Sequence, residues 1–234
     1  MILADYNNPI VKNKAIELTH NKDSLTDKIN AIFYYVRDDI KFAFPKEGDF
    51  VQASQTIKYA YGQCNTKATL FLALCKSVGI TARIHFSLID KNIQKGLFSG
   101  IAFWLMPKEI SHSWIEIEMN GNWIKIDAFI NDEKFYKAGR KALKKKNWEV
   151  GYSIACSKND SSIELSFDTE KFVQMDAVTE DHGVFDEPMD YFNSSKYQNR
   201  PNTFKIFIYK LLIGGINEKV KTLRNSCEIA YLKR

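Results

Sequence analysis

Cys64 stands between a glycine and a run of apolar residues, in Tyr61-Gly62-Gln63-Cys64-Asn65-Thr66-Lys67-Ala68 followed by Leu70, Phe71, Leu72 and Leu74. That pattern places a thiol at the first turn of a helix. First-turn amides lack intrahelical partners and the helix dipole is positive there, so a thiolate is stabilised and becomes a nucleophile. A nucleophile needs a base, and a base needs a group to orient it. Both residue types follow in His112-Ser113-Trp114-Ile115-Glu116-Ile117-Glu118-Met119 and Asn122-Trp123-Ile124-Lys125-Ile126-Asp127-Ala128, which flank Asn120-Gly121.

Asn-Gly between alternating segments is a strong signal for a two-residue hairpin turn. In that register Met119 pairs with Asn122 and Trp114 faces Asp127. Alternation then puts His112, Trp114, Glu116 and Glu118 on one face with Trp123, Lys125 and Asp127, and Ile115, Ile117, Ile124 and Ile126 on the other. His112 and Asp127 become diagonal neighbours within reach of one hydrogen bond. The expected chain runs from Asp127, which orients His112, to His112, which draws the proton from Cys64. Each member alone has a plainer reading: a small core thiol, a solvated strand histidine, a strand end. Their combination in order is what points to chemistry.

Other elements frame these three. A first helix starts near Pro9; a second is capped by Ser24 and buries Ile29, Ile32, Phe33 and Val36 at helical spacing. Pro45 to Asp49 reads as a loop. The helix of Cys64 is expected to reach Val78 and stop at Gly79, and a strand is expected from Ile80 to Phe86. Cys75, on the same face of that helix as Cys64 but roughly 16 Å along it, cannot pair with it. The stretch from Asp90 to Ile110 is long enough to shape a cleft lined by Phe98, Phe103 and Trp104, with Trp114 and Trp123 as walls; packing would equally account for these aromatics. Beyond the hairpin, a helix or excursion is expected between Asp132 and Asn147, a strand from Ser161 to Phe167, and a terminal helix region from Phe204 to Leu232 broken near Gly214-Gly215.

With 234 residues, 45% apolar and 26% charged, the chain has the composition of a soluble globular protein of one domain. A net charge of +5 with dispersed basic residues gives no case for nucleic acid. The basic run from Arg140 to Lys146 reads as a solvated helix end. Residues 1 to 9 carry no basic apolar leader, and the apolar stretch 204–216 is too short to span a bilayer. No membrane partner is therefore expected, and the expected location is cytoplasmic, with free thiols. Cys75, Cys156 and Cys227 are expected in or near cores. His85 falls on the polar side of its strand without catalytic duty. Asp181, His182, Asp186, Glu187 and Asp190 form an acidic cluster whose spacing matches no firm ligand motif, so neither metal nor cofactor is expected.

The ordered blocks resemble the transglutaminase-like superfamily, with its papain-related core and a Cys, His, Asp triad in this chain order. Gly62-Gln63-Cys64, the apolar helix and Gly79-Ile80-Thr81-Ala82-Arg83 resemble the family's Gly-x-Cys, helix, Gly-Ile-Pro-Ala-Arg, with threonine in place of proline. His112-Ser113-Trp114-Ile115-Glu116 resembles its His-x-Trp-x-Glu, and Trp123 through Asp127 its Trp-x-x-x-Asp. The resemblance covers about residues 25–130 and implies an α+β fold with N-terminal helices packed on an antiparallel sheet; residues 131–234 are an extension of unknown role. It implies a thioester-forming enzyme acting on a protein or peptide amide, or a peptide-binding module that keeps the fold. Animal transglutaminases place a tryptophan before the cysteine as an oxyanion donor. No tryptophan precedes Cys64 here, which leaves Gln52, Gln55 or Tyr59 as candidate second donors beside the Cys64 amide and favours hydrolysis over cross-linking.

Overall fold

The computed structural model describes residues 1–155, 163–167, 170, 172–198 and 200–231, without the side chains of 227–231. Helices α1 (Pro9–Thr19) and α2 (Leu25–Tyr34) come first, and a π-helical turn, Tyr35–Asp39, follows α2. Ser24 caps α2 as its sequence promises, accepting from Asp27 N–H at 3.0 Å. A two-residue parallel pair, β1 (Lys41–Phe42) with β2 (Tyr61–Gly62), brackets α3 (Ala53–Tyr59). This pairing ties the chain just before Cys64 to the end of the α2 region.

Helix α4 (Cys64–Ser77) is the centre of the molecule, with every residue from Asn65 to Cys75 buried. A helix buried all round needs each polar side chain satisfied. Thr69 Oγ1 donates to Asn65 O at 2.8 Å, and Lys67 Nζ to Arg37 O at 3.2 Å. Burial pulls the Lys67 ammonium down to about 7 although Asp132 and Asp38 favour its charge. The helix stops where expected, with Gly79 at φ +73°.

The sheet contains β3 (Ala82–Asp90), β4 (Glu109–Met119), β5 (Asn122–Ile126) and β6 (Val178–Phe185) in the antiparallel order β5-β4-β3-β6. Between β3 and β4 the chain makes a 3-10 turn, Lys91–Gln94, and the short α5 (Gly100–Trp104). The hairpin register is as read from sequence: Met119 pairs with Asn122 and Ile115 with Ile126, across Asn120 (φ 53°) and Gly121 (φ 79°). The fold is thus α+β, with α4 packed on β3 and β4.

The C-terminal residues are α6 (Glu133–Lys146), a 3-10 turn (Met175–Ala177) leading into β6, α7 (Pro188–Asn193) and α8 (Thr203–Tyr231). They share one buried apolar cluster with the rest, running from Leu3 to Val220. Arg224 of α8 meets both carboxylate oxygens of Asp132, at 2.8 to 3.1 Å, and donates to Phe42 O at 2.6 Å. Asp132 also caps α6 by accepting from Phe135 N–H at 3.1 Å, so one carboxylate joins β1, α6 and α8.

Two sequence expectations are corrected, and the acidic cluster, read without an element, gains one. Helix α8 is unbroken through Gly214 and Gly215, because Ile213, Ile216 and Val220 bury on its inner side and dock it regardless of the weak local propensity. No strand forms over 163–166, where Ile163 O accepts from the Arg37 guanidinium at 3.0 Å; Ser161 and Ser162 lie outside the described residues. The acidic segment around Asp181 and His182 is instead the edge strand β6.

Candidate active site

The site is built at an open edge. The β4–β5 ladder ends at Ile115–Ile126, leaving β4 from Glu109 to Trp114 without a β5 partner. The start of α4 fills that place. Asn65 Nδ2 lies 3.3 Å from Ser111 Oγ, and the Ser113 amide faces the Cys64 sulfur. Cys64 is half-buried at the first position of α4 and therefore lies against the strand segment that carries His112.

Gly62 makes this approach feasible. A Cβ there would come within 2.5 Å of Thr66 Oγ1 and 3.1 Å of Lys67 Cγ. Thr66 Oγ1 accepts from Gln63 N–H at 3.0 Å, half of a capping box that starts α4. Gly62→Ala is therefore expected to cost about 1–3 kcal/mol by overpacking and loss of the cap, which a thermal melt would read as a drop of several degrees.

The amides of Cys64, Asn65 and Ser113 favour thiolate, but burial first, and then the charge of Asp49, push the thiol well above its ordinary range. Sγ sits 2.9 Å from Gln63 Oε1 and donates its proton there. Cys64 rests as a thiol, against the sequence expectation of a helix-stabilised thiolate.

His112 is fully buried, and neither ring nitrogen has a hydrogen-bond partner among the described residues. Burial alone lowers its pKa to about 3, so it is a neutral imidazole. Its ring lies beside Trp114, centroids 5.9 Å apart. Asp127 is also fully buried, just beyond the end of β5. The diagonal His112–Asp127 bond expected from the register is not formed. Alternation was carried past the last laddered pair, and the Asp127 carboxylate turns instead to the Val173 and Gln174 amides, at 2.7 and 2.8 Å. Burial raises Asp127 to about 7 despite these bonds.

The expected second oxyanion donors lie elsewhere. Gln52 Nε2 donates to Ile2 O at 3.0 Å, and Tyr59 OH donates to Glu47 at 3.0 Å with Gln55 beside it. The side-chain amides flanking the sulfur, Gln63 and Asn65, turn their oxygens to it as acceptors, a role that the sequence did not announce although both adjoin Cys64. Trp104 is 77% exposed, whereas Trp114 is 2% exposed and stacks on His85 at 4.1 Å between centroids. A buried Trp114 cannot wall an open cleft. Trp123 lies at the surface under the Arg83 guanidinium, 3.8 Å from its centroid.

His85 bridges Glu116 Oε1 at 2.7 Å and Asp181 Oδ1 at 2.6 Å, and these partners raise its pKa against burial. His182 Nδ1 meets Tyr191 OH at 3.0 Å, and Glu187 accepts from Leu3 N–H at 2.7 Å. Asp181, His182 and Glu187 of the acidic cluster are thus hydrogen-bonded within the protein. Among the described residues no group of three or more such side chains is arranged for a metal, and no helix is long and apolar enough to cross a membrane. Cys75 is a buried free thiol; Cys156 and the Cys227 side chain lie outside the described residues.

A sequence model of the transglutaminase-like superfamily matches residues 12–128. Among solved structures, a candidate cysteine protease from Cytophaga hutchinsonii is 14% identical, with a TM-score of 0.48 over 81% of this chain and 46% of that one. A candidate protease from Parabacteroides distasonis is 15% identical, with a TM-score of 0.36 over 53% of this chain and 25% of that one. The chain thus spans less than half the length of either solved protein. No curated protein matches the sequence.

Proposed function

Since the chain belongs to the transglutaminase-like superfamily, we propose that it is a cysteine enzyme that cleaves amide bonds of a protein or peptide through a thioester on Cys64. The observation that carries this reading is the seating of the Cys64 sulfur at the free edge of β4, on the amide next to His112. His112, neutral and without a competing partner among the described residues, takes the thiol proton as sulfur attacks the carbonyl carbon. Asp127 keeps its bonds to the Val173 and Gln174 amides and acts on the imidazolium only through its charge. The tetrahedral oxyanion is met by the Cys64 amide, its carbon–nitrogen bond breaks, and the leaving amine takes the proton from His112. Water, deprotonated by His112, then attacks the thioester; the carbon–sulfur bond breaks, the acid leaves, and sulfur recovers its proton.

Hydrolysis is favoured over transfer to an amine because no tryptophan precedes Cys64. Incubation with a glutamine-containing peptide and a labelled primary amine tests this preference. The expected product is the free acid; an amine adduct forming faster would make the protein a cross-linking acyltransferase. The unpaired His112 and the engagement of Asp127 with Val173 and Gln174 favour a second reading, a peptide-binding module without turnover. Peptide binding with no product of either kind would select it.

A further inference from the structure

The loop between β1 and α3 carries a carboxylate into the cysteine site. Asp49 Oδ1 accepts from Gln63 Nε2 at 2.5 Å and from Asn65 Nδ2 at 3.0 Å, and the Tyr197 phenol is a third donor to the same carboxylate. An ionised carboxylate only accepts, and three converging donors match that form. With its nitrogen committed to Asp49, the Gln63 amide has one orientation. Its Oε1 faces α4, where it accepts from Asn65 N–H at 3.0 Å and from Cys64 Sγ at 2.9 Å. Asn65 in turn reaches Ser111 Oγ on β4, so the residues on both sides of Cys64 answer to one anion.

The C-terminal residues complete this arrangement. Phe50, next to Asp49, packs on Phe192 and Tyr197 with centroids 5.0 and 6.3 Å apart. The titratable groups facing Asp49 are Cys64, Tyr191, Tyr197 and Tyr209. All four are pushed toward their neutral, protonated forms; burial raises Asp49 as well, against the Asn65, Gln63 and Tyr197 donors, which hold it down and favour its ionised form.

We propose that Asp49 is a positioning residue of the cysteine site: its hold on Gln63 and Asn65 turns the Gln63 oxygen onto the Cys64 sulfur and keeps the nucleophile as a hydrogen-bonded thiol until a substrate carbonyl displaces that oxygen. The proposal rests on Cys64 being the nucleophile. No atom of Asp49 is asked to touch the substrate; it acts through the two amides and through its charge.

The test is the pH profile of Cys64 alkylation by iodoacetamide, read by peptide mapping in the wild type and in Asp49→Asn, with thermal melts alongside. Loss of the charge and of the fixed amide orientation is expected to move the midpoint down by at least about one unit, roughly tenfold faster labelling at a given pH below it. Gln63→Ala reads the same contact from the sulfur side and is expected to shift the midpoint the same way, which covers an Asp49→Asn variant that fails to fold. A lowered melting temperature with unmoved midpoints would make Asp49 merely structural and overturn the proposal. Alkylation needs no turnover, so the two readings fail separately. A moved midpoint without amide cleavage sustains Asp49's role and removes the enzyme; cleavage with unmoved midpoints does the reverse.

Discussion

Cys64→Ala is expected to abolish amide cleavage, by at least about three orders of magnitude in kcat, with folding intact. Removal of one member of a nucleophile–base pair removes nearly the whole covalent route, and what is left is the effect of binding alone. The side chain is half-buried and gives its proton to Gln63 Oε1, so alanine leaves a small gap and frees an acceptor that still receives Asn65 N–H. Circular dichroism should therefore be unchanged. Cys75→Ala is the informative control, since its thiol is buried within α4 and remote from the β4 edge. Cleavage should survive there while stability falls. Activity surviving Cys64→Ala would move the chemistry to another residue.

Asp127→Asn is expected to be the most destabilising conservative change, by roughly 2–4 kcal/mol at neutral pH. Each carboxylate oxygen accepts one buried amide, Val173 N–H at 2.7 Å and Gln174 N–H at 2.8 Å. Asparagine keeps one of these bonds and sets an NH2 against the other donor. The pH dependence carries a sign of its own. Asp127 is raised to about 7, so between its unfolded value near 4 and 7 the native state holds the extra proton, and stability from this group falls as pH rises. His112 is lowered to about 3, so between 3 and its unfolded value near 6.5 the unfolded state holds the extra proton, and stability rises with pH. The two slopes cancel in the wild type from about pH 4 to 6.5. Asp127→Asn exposes the histidine term, and the variant's own unfolding free energy from urea titrations should fall on acidification across that window by about 1 kcal/mol per pH unit, while that of the wild type stays level. A difference from wild type that is flat over this range would mean that Asp127 titrates normally, and a variant whose own stability is flat there would mean the same of His112.

The parts legible in the sequence were those fixed by local rules. Asn120-Gly121 and the two-residue alternation on either side determine the hairpin and its register, and Gly62, the apolar run and Gly79 determine α4 and its ends. Long-range pairing was harder to read. β6 is polar, irregular in register and mostly exposed, and nothing within Glu180, Asp181 and His182 announces that they will line up against Ser87 and Leu88. Asp49 gave no local sign of joining the site either, since the donors that make it part of it come from β2–α4 and from Tyr197. The alternation that located Asp127 also misled, because the ladder ends one residue earlier and a freed side chain follows the nearest donors, not the strand's period. Lys67 reads as a surface residue by type, yet it is buried because α4 has no solvent face.

The account stands on Cys64 acting as a nucleophile driven by His112. The direct measurement is acid-quenched mass mapping of the acyl adduct formed with a p-nitrophenyl ester of a short peptide, in the wild type and in His112→Ala. The account predicts a thioester on the peptide containing Cys64, forming at least about a hundredfold more slowly without His112. Acylation of Cys75 instead, or a Cys64 adduct that forms equally fast in both proteins, would contradict it.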